Sequence, residues 1–425
     1  MGRMKKAVGF LVALYGALVL TAPAEAKPVI SLDDCLDIAE EYHPGLAGAD
    51  GQIAAQRGRL GQTAASDRPE ISGRVSASRS NSGGFERESY SAGATASVRV
   101  FDANRGKYAI DAQRVTLSAA EEDRLTTLRE VRANVKSAYM TLLLDMEVVG
   151  HRLESVRAFE RYLDQAEAFY EAGIRPWYNV TKAEVDLGKA QLALIEAESS
   201  VEMSKVSLFN AMGIDRPGEE FDLAPIDLEV RDLSADEADI LTGALENRSD
   251  YRASELKIMA GTATLKNEAR ASSPSVSVSG GYSGGGGDVF DLDSEWNVGV
   301  GITIPIVDGG ATRARVAAAE GQLVSLEASR EKLRQDIALE VRKILTDIAR
   351  SRERIRISEL NVASAEENRR VAVGRYETGA GDPFEVTDAL LSFTEAQLEN
   401  RRAKYDMQLA LVALERATGK DIDLK

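Results

Sequence analysis

A single gap-free offset of 206 residues aligns the two halves of this chain. It pairs Asp102 with Asp308, Val135 with Val341, and Tyr170-Glu171 with Tyr376-Glu377. It also pairs Gly173 with Gly379, Val180-Thr181 with Val386-Thr387, Ala190-Gln191-Leu192 with Ala396-Gln397-Leu398, and Gly213 with Gly419. Helical composition alone would match some Ala and Leu. It would not match turn glycines and helix-stop glycines at one offset, so the chain reads as two copies of one unit.

The unit is built on a very long helix. Leu128, Val135, Leu142, Val149, Val156, Leu163 and Tyr170 fall one heptad apart, interrupted by no Pro and by one Gly, Gly150. A strict seven-residue apolar repeat makes a seam that needs a partner helix. The first unit, 27–230, is expected to hold strands over about 70–101, a long helix over about 103–172, a tip at 173–176 and a return helix over 177–212. Pro176 suits the first position of that return helix, and Gly213 its end. The second unit, 231–425, repeats this with strands over about 275–307, a long helix over 311–378, a tip at 379–383 and a return helix over 384–418. A shorter helix precedes each strand pair. It starts at Ser31-Leu-Asp-Asp34 in one copy and at a capping box, Ser234-Ala-Asp-Glu237, in the other, and Pro69 and Pro274 end it. Residues 215–231 read as a connector punctuated by Pro217 and Pro225. A helix of about 70 residues spans roughly 105 Å, far more than any bilayer, so it extends into water on one side.

Residues 1–26 read as a secretory signal: Arg3, Lys5 and Lys6, an apolar run from Ala7 to Leu20, and an Ala24-Glu25-Ala26 cleavage site. Its removal takes away three basic residues and one acid, moving the net charge from −16 to −18. Nucleic acid is an improbable partner for so acidic an exported chain. One Cys (Cys35) and two His (His43, His151) exclude an intrachain disulfide framework and a Cys/His zinc site. His43 and His151 are expected at the surface. No nucleophile–base pair, phosphate loop or metal cluster stands out, so neither enzyme activity nor a cofactor is expected.

The strand segments point to a membrane. Ile71, Gly73, Val75 and Ala77 alternate with Ser72, Arg74, Ser76 and Ser78. Ala92 to Val100, Val276 to Tyr282 and Trp296 to Ile304 alternate in the same way. Each segment is about nine to eleven residues, the length of a tilted strand across an outer membrane, and Ser/Gly-rich loops (Asn81–Gly84, Ser283–Gly287) are expected to join each pair. A soluble half-buried sheet would show the same alternation. The polar face of Ser, Thr, Gly and Arg suits a wet lumen better, and the signal sends the chain where outer-membrane barrels form. Trp296 and Tyr282 then belong to an interfacial girdle, and Arg74 and Arg99 line the lumen or its rim. Four strands cannot close a barrel, and an open edge in lipid leaves backbone groups unpaired. Two chains give too narrow a conduit. Three give twelve strands with pseudo-sixfold symmetry.

Signal, duplicated strand pairs, long helices and the segments Tyr170-Glu-Ala-Gly173 to Val180-Thr181 and Tyr376-Glu-Thr-Gly379 to Val386-Thr387-Asp388 together resemble the TolC-like outer-membrane efflux protein family. The resemblance covers essentially the whole mature chain. It implies a mainly α protein with membrane β: a homotrimer with a 12-stranded outer-membrane β-barrel and a 12-helix periplasmic α-barrel. Such a channel is the exit duct of a tripartite efflux or type I secretion system, held in outer-membrane lipid and served by an inner-membrane pump and a periplasmic adaptor. The adaptor-docking tips fall on Gly173 and Gly379. Acids that narrow the periplasmic entrance fall on Glu385 and Asp388, three apart on one helix face. A basic residue that some relatives carry after the second tip glycine is replaced by Gly381, which leaves Arg175 or Lys182 to latch the gate.

Each of these residues has a plainer reading. Glu385 and Asp388 also fit the acidic first turn of any helix. Gly173 and Gly379 also fit turns that need positive φ. Tyr170 and Tyr376 are expected in the helix seam. The alternatives are a periplasmic adaptor, which needs one hairpin flanked by soluble β-modules, and a trimeric coiled-coil surface protein, which needs one continuous stalk.

Overall fold

In chain order the elements are β1 (Val29–Ile30), α1 (Leu32–Tyr42), α2 (Pro44–Ala65), β2 (Glu70–Ser82), β3 (Phe85–Phe101), α3 (Arg105–Glu171) and α4 (Tyr178–Met212). They continue as β4 (Asp222–Leu223), α5 (Glu237–Asn247), α6 (Ser249–Glu268), β5 (Ser275–Asp288), β6 (Asp291–Thr303), α7 (Ala311–Glu377) and α8 (Pro383–Thr418). This computed structural model describes residues 29–83, 85–215, 221–226, 228, 236–288 and 291–420. The signal segment 1–26 and Ser234 lie outside the described residues. Helix α5 is described from Glu237, and its N-cap Asp236 makes no side-chain cap bond.

The long helices α3 and α7 are 67 residues each. Their starts and ends are separated by the same offset that aligns the sequence. Beside each runs a pair of shorter helices stacked end to end. At one junction Gly213, ending α4, lies so close to the start of α2 that a Cβ would come within 2.6 Å of Pro44. At the other, a Cβ on Gly419 would lie 3.1 Å from the Asn247 backbone. His43, partly exposed, caps α2: its Nδ1 accepts from the Gly45 amide at 3.0 Å. Toward the strands, α3 packs against α2 and α6; toward the tips, against α4 and α8.

The widest core lies midway along α3. Val131, Val135, Tyr139 and Leu142 meet Cys35, Leu208, Met212 and Phe221. Burial there pushes the Cys35 thiol up to about 12, which leaves it an inert apolar filler. The connector expected over 215–231 carries a strand of its own, since β4 pairs parallel with β1. The Tyr139 hydroxyl lies 3.0 Å from the Ile30 carbonyl and 2.8 Å from that of Ala224, fixing this small sheet to α3. Nearby, Lys136 and Glu415 form a pair 2.5 Å long with side chains only 12% and 10% exposed, tying α3 to α8.

The four longer strands form one antiparallel sheet in the order β2-β3-β5-β6, so β3 and β5 join the two units. The strands are 13, 17, 14 and 13 residues, longer than the alternation suggested. Ser283–Gly287 is strand rather than loop, as far as the register Ser283↔Glu295 and Gly285↔Asp293 shows. Gly and Ser have poor β-propensity, but propensity yields to pairing where neighbouring backbones come close. A Cβ on Gly93 would sit 2.9 Å from that of Ser283.

Candidate functional site

Two features stand out: the paired tips where the long helices turn, and the sheet at the other end.

Both tips share one backbone. At the first, Gly173 has φ +69 and the amides of Ile174 and Arg175 both reach the Phe169 carbonyl. At the second, Gly379 has φ +77 and the amides of Ala380 and Gly381 reach the Arg375 carbonyl. Each is a left-handed helix cap that only Gly adopts without strain. The return helices start differently. Asp382 caps α8 by accepting from the Phe384 amide at 2.8 Å, with Pro383 in the first turn. Pro176, expected to open α4, lies two residues ahead of it, and α4 has no side-chain cap.

The side chains diverge further. Tyr376 is 1% exposed and lies between Tyr162, at 5.6 Å between ring centroids, and Phe169, at 5.4 Å. It belongs to a core of Val156, Phe159, Tyr162, Val180, Val386 and Leu390 that locks the second hairpin onto the first. Its counterpart Tyr170, expected in the seam, is 44% exposed and packs edge-on against Trp177 at 5.1 Å. The heptad seam thus holds through Val156 and gives way at the tip. There the chain turns, and Tyr162 and Ala166 are the residues facing the partner helices. Burial raises both the Tyr162 and Tyr376 phenols above the ordinary value. The Tyr376 neighbour raises Tyr162 further, whereas the Arg175 charge opposes the rise at Tyr376.

The four charged candidates fall into two groups. Arg175 crosses from the first tip to the second, where its Nη2 donates to the carbonyls of Gly381 at 2.7 Å and Gly379 at 3.3 Å. Gly381 has no room for a side chain, because a Cβ would lie 2.7 Å from the Tyr376 amide nitrogen. Lys182 pairs with Asp186 and lies 5.5 Å over the Phe384 ring. Glu385 is exposed and 3.4 Å from exposed Arg375, a contact worth at most about 1 kcal/mol. Asp388 is exposed and forms no ion pair among the described residues. Glu385 and Asp388 thus share a free face of α8, whereas Arg175 and Lys182 are already engaged within the chain.

Sequence reasoning missed Asp186. Its side chain is 3% exposed, pairs with Lys182 and with Lys189 at 3.7 Å, and accepts from Thr387 Oγ1 at 3.2 Å. It pins α4 to α8. Lysines four before and three after it resemble an ordinary solvated helix face. The signal was Thr387, which recurs at the repeat offset but had no partner assigned.

At the other end, register places Ile71, Ala96, Gly280 and Val298 in one row, and Gly73, Ala94, Tyr282 and Trp296 in the next. That face is apolar and exposed: Val75 84%, Trp296 74%, Val298 72%. The opposite face carries Ser, Gly, Thr and Asn, with Arg74, Arg87, Arg99, Glu295 and Asp293 among them. It is concave, forming a groove of about 380 Å³ lined by Ser72, Arg74, Ser91, Gly93, Ser283 and Asn297. Among the described residues both edges of this sheet, β2 and β6, are unpaired. No helix there is long and apolar enough to cross a membrane, and no group of three or more His, Cys, Asp or Glu is placed to hold a metal ion.

A family model described as outer membrane efflux protein matches residues 35–214 and 240–420. Protein CyaE of Bordetella pertussis is 24% identical over 408 residues, covering 92% of this chain and 84% of that protein. Outer membrane efflux protein BepC of Brucella suis is 22% identical over 365 residues, 83% of this chain and 77% of that protein. Among solved structures, CusC superposes with a TM-score of 0.83 at 20% identity, covering 95% of this chain and 96% of that one. A likeness at that identity concerns the fold.

Proposed function

Because this chain belongs to the outer membrane efflux protein family, whose model spans both of its units, we propose that three copies close one β-barrel through the outer membrane and one helical cylinder beneath it. The protein is an outer-membrane channel of the efflux and secretion type with a periplasmic extension. Family membership sets aside the adaptor and surface-protein alternatives. One observation carries the trimer: a sheet whose exposed outer face is an apolar band from Ile71 to Val75 and Trp296 to Ile302, bounded toward the β2–β3 turn by Arg79, Glu86 and Glu88, and whose two edges are unpaired among the described residues. In lipid such edges must be paired, so β6 of one copy meets β2 of the next, and twelve strands close. The helical edges support the same closure. Helix α4 exposes Val185, Leu192 and Ile195, and α7 exposes Ile357, Leu360 and Val371. The two helices run in opposite directions, and Ile195 and Leu360 lie equally far from the tip ends of their helices.

Opening is the release of the second hairpin from the first, a shift between two populated states. Tyr376, Arg175 and the Asp186–Thr387 contact favour the closed state. Glu385 and Asp388, on the free face of α8, form rings of carboxylates at the entrance when three copies assemble. A periplasmic adaptor, delivering cargo from an inner-membrane pump, docks at the turns of Gly173 and Gly379.

The test is a double variant, Ile195→Cys with Leu360→Cys, in whole cells. Oxidation is expected to give covalent trimers, and each single variant none; monomers throughout would sink the trimer. In planar bilayers, Glu385→Ala with Asp388→Ala is expected to raise conductance, and an unchanged value removes those acids from the entrance.

A further inference from the structure

We infer that Arg74 sets how strongly the membrane-crossing part of the duct prefers cations, by offsetting the acids Glu295 and Asp293 at mid-wall, between Arg87 toward one end and Arg99 toward the other; this rests on the barrel proposed above. The face of each strand residue follows from register. On the concave face, Ser72, Arg74 and Ser76 of β2 lie opposite Thr95, Gly93 and Ser91 of β3. These lie in turn opposite Gly281, Ser283 and Gly285 of β5, and then Asn297, Glu295 and Asp293 of β6. The middle of the wall is therefore hydroxyls, glycines and one Asn. Arg74 is the cation placed in it, and the acids Glu295 and Asp293 stand at the far edge of the sheet.

Arg74 is also free to act on what passes. It is exposed and has no ion pair among the described residues. On the same face Arg87 is also exposed but lies opposite Ser80, toward the β2–β3 turn, and Arg99 is 4.0 Å from Asp102; Arg79, committed to Glu86 and Glu88, is on the outer face. Glu295, on the Arg74 row, is three strands away, about 14 Å at the spacing of paired strands. Barrel closure does not bring them together, because closing a sheet staggers its register, so a row leaving β6 does not re-enter β2 at its starting height. Beside Arg74 the wall is flattened by Gly93 and Gly281, where a Cβ would lie 2.9 Å from Ser283 and 2.7 Å from Asn297. Three copies put three such charges around one lumen, in reach of passing ions at the screening length of dilute salt. An anionic group on the cargo meets favourable charge there that the acidic tips do not offer.

The experiment is the reversal potential of purified trimers in planar bilayers under a KCl gradient, in an Arg175→Ala background that opens the tips. Arg74→Ser is expected to raise the K⁺/Cl⁻ permeability ratio about twofold near 0.1 M salt, with the difference fading by about 1 M. Arg74→Lys is expected to keep the parent ratio. An unchanged ratio in Arg74→Ser overturns the inference while leaving the channel intact. So does Arg74→Ser that falls to monomers in detergent, which would make Arg74 a contact between copies. If trimers of the Arg175→Ala background give no conductance, the channel reading itself fails.

Discussion

The two tips have one backbone and two fates. Gly173 and Gly379 cap their helices with the same left-handed turn and the same pair of amides on the carbonyl four residues earlier. Yet Tyr376 is 1% exposed and Tyr170 is 44% exposed. The position held by Arg175 in one copy is Gly381 in the other, and the two are joined, since the guanidinium binds the Gly381 carbonyl. Duplication preserved the turn because the turn is local. It did not preserve side-chain environment, because Tyr376 faces the first hairpin whereas Tyr170 faces away from the second. The hairpins differ in the same sense. The first is seamed by Phe159 and Tyr162, whereas the buried seam of the second includes Ser351, Ser358 and Thr394, with Asn400 donating to Ser358 at 3.0 Å. Between Ser358 and Ala372 no residue of α7 is buried.

The largest test of this asymmetry exchanges the tyrosines. Tyr376→Ala is expected to cost the closed tip about 3 kcal/mol, roughly a hundredfold in the closed–open equilibrium, read as a rise in bilayer open probability. Tyr170→Ala is expected to stay within about 0.5 kcal/mol. Equal effects would abolish the distinction between the tips. Next comes Arg175→Ala, which frees two carbonyls and is expected to cost about 1.5 kcal/mol by the same measurement. Arg175→Lys is expected to rescue it in part, because a single nitrogen, Nη2, serves both carbonyls and an ammonium also has donors for two acceptors.

A pH titration sharpens the comparison further. The Tyr162 and Tyr376 phenols are raised by burial in the closed tip and return to about 10 when exposed. Their contribution to closure is therefore full below about pH 10 and is lost as pH rises toward the buried values. Open probability is expected to climb above pH 10, and the double variant Tyr162→Phe with Tyr376→Phe to flatten that climb. The smallest effect lies at the other end of the long helices. There Ala103 and Asn104 hold φ of +58 and +67, where the second copy has Gly309 and Gly310. Ala103→Gly is expected to stabilise the protein by up to about 1 kcal/mol, seen as a small rise in Tm; Gly309→Ala is expected to lower it.

Much of this architecture was legible from residues alone, for physical reasons. A heptad along α3 and one offset for many matches are long-range regularities that local noise does not erase. The alternation of Val298, Val300 and Ile302 marked a face, and register later lined it up with Ile71 and Val278. What stayed hidden depends on packing between units. Ser283–Gly287 carries the composition of a loop and becomes strand because β3 and β6 hold it on both sides. Asp186 looks like a solvated acid and becomes a buried pin because α8 covers it. Tyr170 and Tyr376 are the same letter at the same repeat position, and no pattern within one unit distinguishes them.

The length of α3 has a mechanical meaning. Its 67 residues make a rod of about 100 Å. A rotation of about 5° at the strand end would carry its tip through roughly 9 Å. Across the helix's own width of about 10 Å, the same rotation shifts side-chain contacts by less than about 1 Å. The helix is a lever with roughly tenfold gain. Changes that repack the helix midway, at Lys136–Glu415 or beneath Tyr139, act over about half that arm and would appear as widening or narrowing at an aperture roughly 50 Å away.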